Sequence, residues 1–127
     1  MVRRVWFIVI LFVILVAGVI LEQIYTDNTY STLNTKITEL QENIVNAEIE
    51  EGQQLAKEID EYWSGREVLL SLFVDYRDIE MIGRQLELVM GHLSNEDLEL
   101  AIVECNMLSH LVKTYRNTIG LDWQNII

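Results

Sequence analysis

Residues 26–52 read TDNTYSTLNTKITELQENIVNAEIEEG, and the spacing of their apolar members decides the fold. Tyr30, Leu33, Ile37, Leu40, Ile44 and Ala47 recur in alternating steps of three and four, the period of side chains along one side of an α-helix. A strand would alternate at every second residue instead. The seam persists for about two and a half heptads and has two uses. It can pack inside a bundle made by one chain, or it can meet the same seam of a second copy in a parallel homodimer, which makes Tyr30, Leu33, Ile37 and Leu40 candidate interaction residues. Thr26-Asp27-Asn28-Thr29 before it can cap a new helix or be carried through as a juxtamembrane turn. Glu50-Glu51-Gly52 after it reads as a stop, because glycine takes the left-handed conformation that closes a helix C-terminus.

Towards the N-terminus, Val5 to Leu21 is seventeen residues with no polar side chain, interrupted only by Gly18. As a helix this run spans about 25 Å, slightly less than a hydrocarbon core of about 30 Å, and Ile24 extends it by a turn. Trp6 and Tyr25 then stand about 28 Å apart, the separation of an interfacial aromatic pair. Arg3 and Arg4 precede the run and hold that end in the cytoplasm by the positive-inside rule. Residues 1–25 are therefore expected to be a cytoplasmic tip and a transmembrane signal-anchor helix, in contact with the lipid bilayer through residues 5–24. Residues 26–127 are expected to form an extracytoplasmic acidic helical domain. A cleaved signal peptide shares the basic start and apolar middle. Val16-Ala17-Gly18 would tolerate a cut, but the run continues through Val19, Ile20 and Leu21, longer than most signal cores.

Towards the C-terminus the helical period repeats. A second helix from about Gln53 carries Leu55, Ile59, Tyr62, Trp63, Leu69, Leu70 and Phe73 as inward candidates, with Ser64-Gly65 as a place to kink. Val68 to Val74 is apolar apart from Ser71, too wide for one stripe, and is expected to be buried on most sides. Asp75 resembles an N-cap with Asp78 at the capping-box position. Ile79, Ile82, Leu86, Val89 and Leu93 form the face of the helix it starts. Ser94 and Asp97 repeat that arrangement before a last helix bearing Leu98, Ala101, Cys105, Leu108, Val112, Tyr115 and Ile119. Gly120 is expected to stop it and leave an extended tail over residues 120–127. There Leu121, Trp123 and Ile126 either pack back on the bundle or hook a partner. The expected fold is all-α: a transmembrane helix followed by an antiparallel bundle, or stacked hairpins, of about four helices. Proline is absent and half of the residues are apolar, a composition that suits helices and excludes a disordered acidic tail.

Charge excludes one class of partner. All twenty Asp and Glu follow the apolar run, against seven Lys and Arg there, and a field of that sign repels nucleic acid. Recognisable chemistry is also missing. His92 and His110, the only histidines, fall on different predicted helices without metal-ligand spacing. Cys105 is the single cysteine, in an apolar register that suits a core position or, alternatively, a disulfide between two copies. Glu50-Glu51 and Asp75/Asp78 are explained as acids at helix ends. No cofactor and no metal are expected, and the chain does not read as an enzyme.

The basic-apolar start, the break at Glu51-Gly52, the Tyr62-Trp63 pair, the segment Leu69-Leu70-Ser71-Leu72-Phe73-Val74-Asp75 and the closing Leu121-Asp122-Trp123-Gln124-Asn125-Ile126 follow one another in an order that resembles a family. It is that of the small proteins of Gram-positive bacteria known as domain of unknown function 4363 (DUF4363). The resemblance spans nearly the whole chain. It implies an envelope-facing helical protein and carries no activity or site residue with it.

Two function classes follow. One is a structural or adaptor protein of the cell envelope, bound to a membrane or extracytoplasmic protein. The other is an extracytoplasmic sensor or ligand-binding module. With about four residues expected on the cytoplasmic side, such a sensor would signal through a partner. A cleaved, secreted helical protein is the third reading.

Overall fold

The computed structural model describes residues 2–126, with side chains through residue 117, and among the described residues every regular element is an α-helix. Helix α1 spans Val2–Val45, α2 Ile49–Leu70, α3 Tyr76–Ser94 and α4 Leu98–Ile126. Helices α1 and α3 each pack on α2 and α4. Along α1, Gly52 lies by Leu40 and Asn43 near the first turn, whereas Trp63 meets Tyr30, ten residues before Leu40. Gln41 bonds Asn106, and Asp27 bonds Arg116. Partner numbers rise as α1 numbers fall, so neighbours are antiparallel and the four helices form a single up-down bundle rather than two stacked hairpins.

Most of the residues expected to line the core do so, whereas Leu69 and Phe73, also expected inward, are exposed. Leu33, Ile37 and Leu40 of α1, Ile59 and Trp63 of α2, Ile82, Leu86 and Val89 of α3, and Cys105, Leu108 and Val112 of α4 are all buried in one cluster. Trp63 is the largest of them. Its ring is 6.0 Å from that of Tyr30, tilted at 48°, and its indole Nε1–H donates to the Ile79 carbonyl at 3.3 Å. One side chain thereby joins α1, α2 and α3, its polar edge satisfied as a buried indole requires.

Helix α1 does not break between the apolar run and the seam. Its 44 residues make a rod of about 66 Å, in which Thr26 to Thr29 neither caps a new helix nor turns. The reason is local: Thr29 Oγ1 donates to the Tyr25 carbonyl at 2.8 Å, and Thr35 and Thr38 bond the carbonyls four residues back in the same way. Hydroxyls satisfied within the helix have no call to compete with it. Burial in α1 begins at Thr26. Residues 2–21 stand free of the bundle and exposed, and α1 is the one helix among the described residues long and apolar enough to cross a membrane.

Both distal turns close without glycine. After α1, Glu48 N–H donates to Asn43 O and Ala47 N–H to Ile44 O, with Ala47 at φ 56°. After α3, Asp97 N–H donates to His92 O and Glu96 N–H to Leu93 O, with Glu96 at φ 57°. These are the paired bonds of a Schellman closure. Ala47 is therefore a turn residue, exposed rather than part of the seam. Gly52, expected as the stop, lies instead in the first turn of α2, buried against Leu93, Asn43 and Leu40. Helix α2 passes through Ser64-Gly65 uninterrupted. Asp75 caps α3 as expected, accepting from the Arg77 N–H at 2.9 Å. At α4 the cap is Asp97, which accepts from Leu100 N–H at 3.2 Å, while Ser94 is the last residue of α3.

Two further expectations are corrected. Of Val68 to Val74 only Leu70 is buried; Val68 and Leu72 are 81% and 71% exposed. Helix α2 ends there and the chain turns beyond the end of the bundle's core, so a width of apolar sequence is not a depth of burial. The backbone over 120–126 is helical, not extended, since α4 continues to Ile126; a single glycine inside a helix costs only about 1 kcal/mol. The side chains of Leu121, Trp123 and Ile126 lie outside the described residues.

The placement of glycine is directly testable. Ala47→Gly is expected to stabilise the fold by about 1 kcal/mol by relieving a left-handed residue of its Cβ. Gly52→Ala is expected to add about 0.5–1 kcal/mol, because a Cβ there meets its nearest neighbours at 3.8–3.9 Å, ordinary contact. Urea unfolding of the full chain in detergent, followed by circular dichroism, measures both. If Gly52 closed a helix, Gly52→Ala would lose stability.

Candidate functional site

The described residues hold no group of three or more His, Cys, Asp or Glu arranged to bind a metal ion. His92 is half-buried in the last turn of α3, and His110 is exposed on α4. Asp75 is engaged as a cap, and its carboxyl is held below the usual range by the Arg77 backbone N–H and side chain. Asp78 is raised by burial and by Asp75. Glu50 and Glu51 occupy the first turn of α2, where carboxylates suit the positive end of the helix dipole.

The seam is not an open surface. Tyr30, Leu33, Ile37 and Leu40 are all 0% exposed, packed within the bundle, so a dimer through them would have to open the core. Arg3, Arg4, Trp6 and the lower turns of α1 lie outside the bundle and are exposed, and Tyr25 marks where α1 enters it, half-buried against the core.

Two apolar surfaces remain that the helical periods alone did not expose. The first lies on the outside of the α3–α4 hairpin. Gln85 Nε2 donates to the Glu104 carbonyl at 3.0 Å and to the Glu104 carboxylate. Met81 and Leu88 stand four and three residues from Gln85, and Leu100 and Met107 four and three from Glu104, spacings that keep each set on one helical face. With Val103 they are 47–59% exposed. The signal was present in the sequence as apolar residues lying off the core stripe of both helices.

The second surface is the α2–α3 corner. Val68, Leu69, Leu72, Phe73 and Tyr76 are exposed there. Leu69 and Phe73 face Ile14, Leu15, Gly18, Val19, Leu21, Glu22 and Tyr25 of α1 across an open cleft of about 640 Å³. Just above it, Tyr62 is flanked by the Arg66 guanidinium 3.8 Å from its ring centre and by Lys36 Nζ at 5.6 Å, a pair of cation–π contacts.

Charge is graded along the bundle. Residues 39–58 and 87–104, which form the end opposite the apolar half of α1, contain eleven Asp and Glu against a single Lys or Arg, Lys57. The rest of the bundle holds nine acids and six Lys or Arg, close to balance.

Residues 20–126 fit the family described as domain of unknown function (DUF4363), beginning inside the apolar run and covering the whole bundle. No curated protein and no solved structure matches the chain.

Cys105 is fully buried, which withdraws it from a bridge between copies, and burial pushes its thiol up from the ordinary 9.0 to about 12. A raised value means the folded state favours the protonated thiol. That contribution is complete below the unfolded thiol's range and is lost as pH rises from about 9 towards 12. Iodoacetamide at pH 8 is expected to leave Cys105 unmodified in the folded chain and to alkylate it in denaturant. The fall in melting temperature above pH 9 should be shallower in Cys105→Ala. Alkylation of the folded chain, or a disulfide dimer on a non-reducing gel, would contradict its burial.

Proposed function

The chain belongs to the DUF4363 family, and on that premise we propose that it is a single-pass membrane protein of the bacterial envelope. Its helical bundle stands on the extracytoplasmic side and acts by contact, as a structural or adaptor component. The observation that carries this reading is α1. Its first twenty or so residues are apolar, free of the bundle and unburied, while its remainder is one wall of the core. An uncovered apolar surface of that length is unfavourable in water, and a bilayer is the solvent that its dimensions fit. Arg3 and Arg4 ahead of the apolar run orient it with the N-terminus in the cytoplasm.

Contact is the mode of action supported best because the bundle offers faces instead of a reacting site. The outer face of α3 and α4, with Met81, Leu88, Leu100, Val103 and Met107 around the Gln85–Glu104 pair, has the composition of an interface core: flexible thioethers and aliphatic chains around a satisfied polar contact. Its partner is a membrane or extracytoplasmic protein.

The native chain is expected to stay with the membrane through alkaline carbonate extraction at its full intact mass. Protease added to spheroplasts should degrade the bundle and leave a fragment containing α1's apolar half. A photo-crosslinking residue at Val103 should capture a discrete protein that the same residue at Glu58 does not. Release by carbonate, or a mature chain beginning near residue 19, would exclude the anchor. Equal labelling from Val103 and Glu58 would exclude the α3–α4 face.

A further inference from the structure

Resting on the anchoring proposed above, we infer that the α2–α3 corner is a second lipid-contacting element, seated in the outer leaflet beside α1 and covered there by phospholipid acyl chains. The corner is a contiguous apolar surface: no charged side chain lies between Glu67 and Asp75, and Val68, Leu69, Leu72 and Phe73 are between 42% and 81% exposed. Scattered apolar residues on a surface need no cover, but a cluster at one protruding turn does.

Continuity with α1 identifies the cover. The cleft beside the corner has Leu69 and Phe73 on one wall and α1 from Ile14 to Tyr25 on the other. That stretch of α1 is about 16 Å long, close to the depth of one leaflet of a core about 30 Å thick. Whatever fills the cleft also bathes Leu15 and Val19, side chains that the anchored chain holds in hydrocarbon. An acyl chain meets both walls at once.

The N–H donors of the corner are all satisfied within the chain, which suits a seat at the interfacial edge of the leaflet, where its carbonyls meet headgroups and water. Ser71 N–H donates to Glu67 O, Leu72 N–H to Leu69 O, and both Phe73 N–H and Val74 N–H to Leu70 O. The Ser71 hydroxyl donates to Val68 O at 2.6 Å. All four amides from Ser71 to Val74 and the one hydroxyl among them are thus bonded internally, although the turn is exposed.

The charge gradient points the same way. The corner is bracketed by Arg66 and Glu67 on one helix and by Asp75 and Arg77 on the other, with Arg77 paired to Asp75 at 3.4 Å, so its rim carries no net charge. The strongly acidic end is the one held furthest from an anionic surface, which would repel it. A corner of this kind lies in the membrane without crossing it, and with α1 it gives the bundle two points of attachment.

The test uses the full chain in proteoliposomes of phosphatidylethanolamine and phosphatidylglycerol, in a Cys105→Ala background. A nitroxide spin label is attached at Leu72→Cys, with Ile10→Cys as the reference for the anchor and Glu50→Cys for the distal end. Relaxation by oxygen, which concentrates in lipid, is compared with relaxation by a water-soluble nickel chelate. The label at Leu72 is expected to share the oxygen-dominated ratio of Ile10, while Glu50 shows the nickel-dominated one. A water-like ratio at Leu72 with Ile10 in lipid would overturn the lipid-seated corner and leave the anchor standing. Water-like ratios at both would overturn both. A Leu72 label shielded from both reagents would mean a protein cover, such as a second copy, and would overturn the inference as well.

Discussion

The architecture depends on one constraint: the helix that carries the long apolar segment is also a wall of the bundle. Helix α1 has no linker between its two halves. The residues that would ordinarily loosen it, Thr26 to Thr29, are absorbed because Thr29 returns its hydroxyl to the Tyr25 carbonyl and both threonines are buried against neighbours. The orientation of the bundle relative to the apolar half is consequently fixed by helical geometry. The α2–α3 corner, which comes back to the level where α1 enters the bundle, is brought beside the end of the apolar half for the same reason.

Within the bundle, stability is concentrated where three helices meet. Trp63 lies between Tyr30 and the backbone of Ile79. Burying the indole contributes its area, and the hydrogen bond avoids the cost of an orphaned donor. The opposite end is built from smaller groups, Gly52, Ala56 and Ala101, and is tied by Gln53 Nε2 donating to Leu93 O at 2.8 Å. That bond gives the Leu93 carbonyl a second donor beside the Glu96 N–H that closes α3. The exposed ion pairs Arg84–Glu80 and Arg77–Asp75 add little, as pairs in water generally do. Between the two ends the core is aliphatic apart from Cys105.

Much of this was legible in the sequence. The steps of three and four from Tyr30 to Ile44 and from Ala101 to Val112 identified the core face, because a buried helix stripe has one geometry. Asp75 was legible as a cap for a similar reason: a carboxylate just before an amphipathic run has a free N–H to accept from. The glycines were not. Whether Gly52 closes a helix or sits inside one depends on φ, and the residues that do turn, Ala47 and Glu96, bear side chains that give no signal of a left-handed backbone. Val68 to Val74 could not be placed from composition either, since hydropathy records only an aversion to water and treats a protein core and a lipid surface alike. Of the candidate surfaces, the seam was correctly found as apolar, but its partner turned out to be the chain itself. The α3–α4 face lay in positions off the core stripe that a search for periodicity passes over.

A rigid α1 also acts as a lever. On the proposed anchoring, the arm from Tyr25 to the α1–α2 turn at Val45 is about 30 Å long. A hydrophobic segment adapting to bilayer thickness by a tilt of about 20° would carry the far tip roughly 10 Å sideways. A helix joined by a flexible linker would absorb that tilt. Here the lateral position of the acidic tip becomes a readout of how thick the membrane is beneath it.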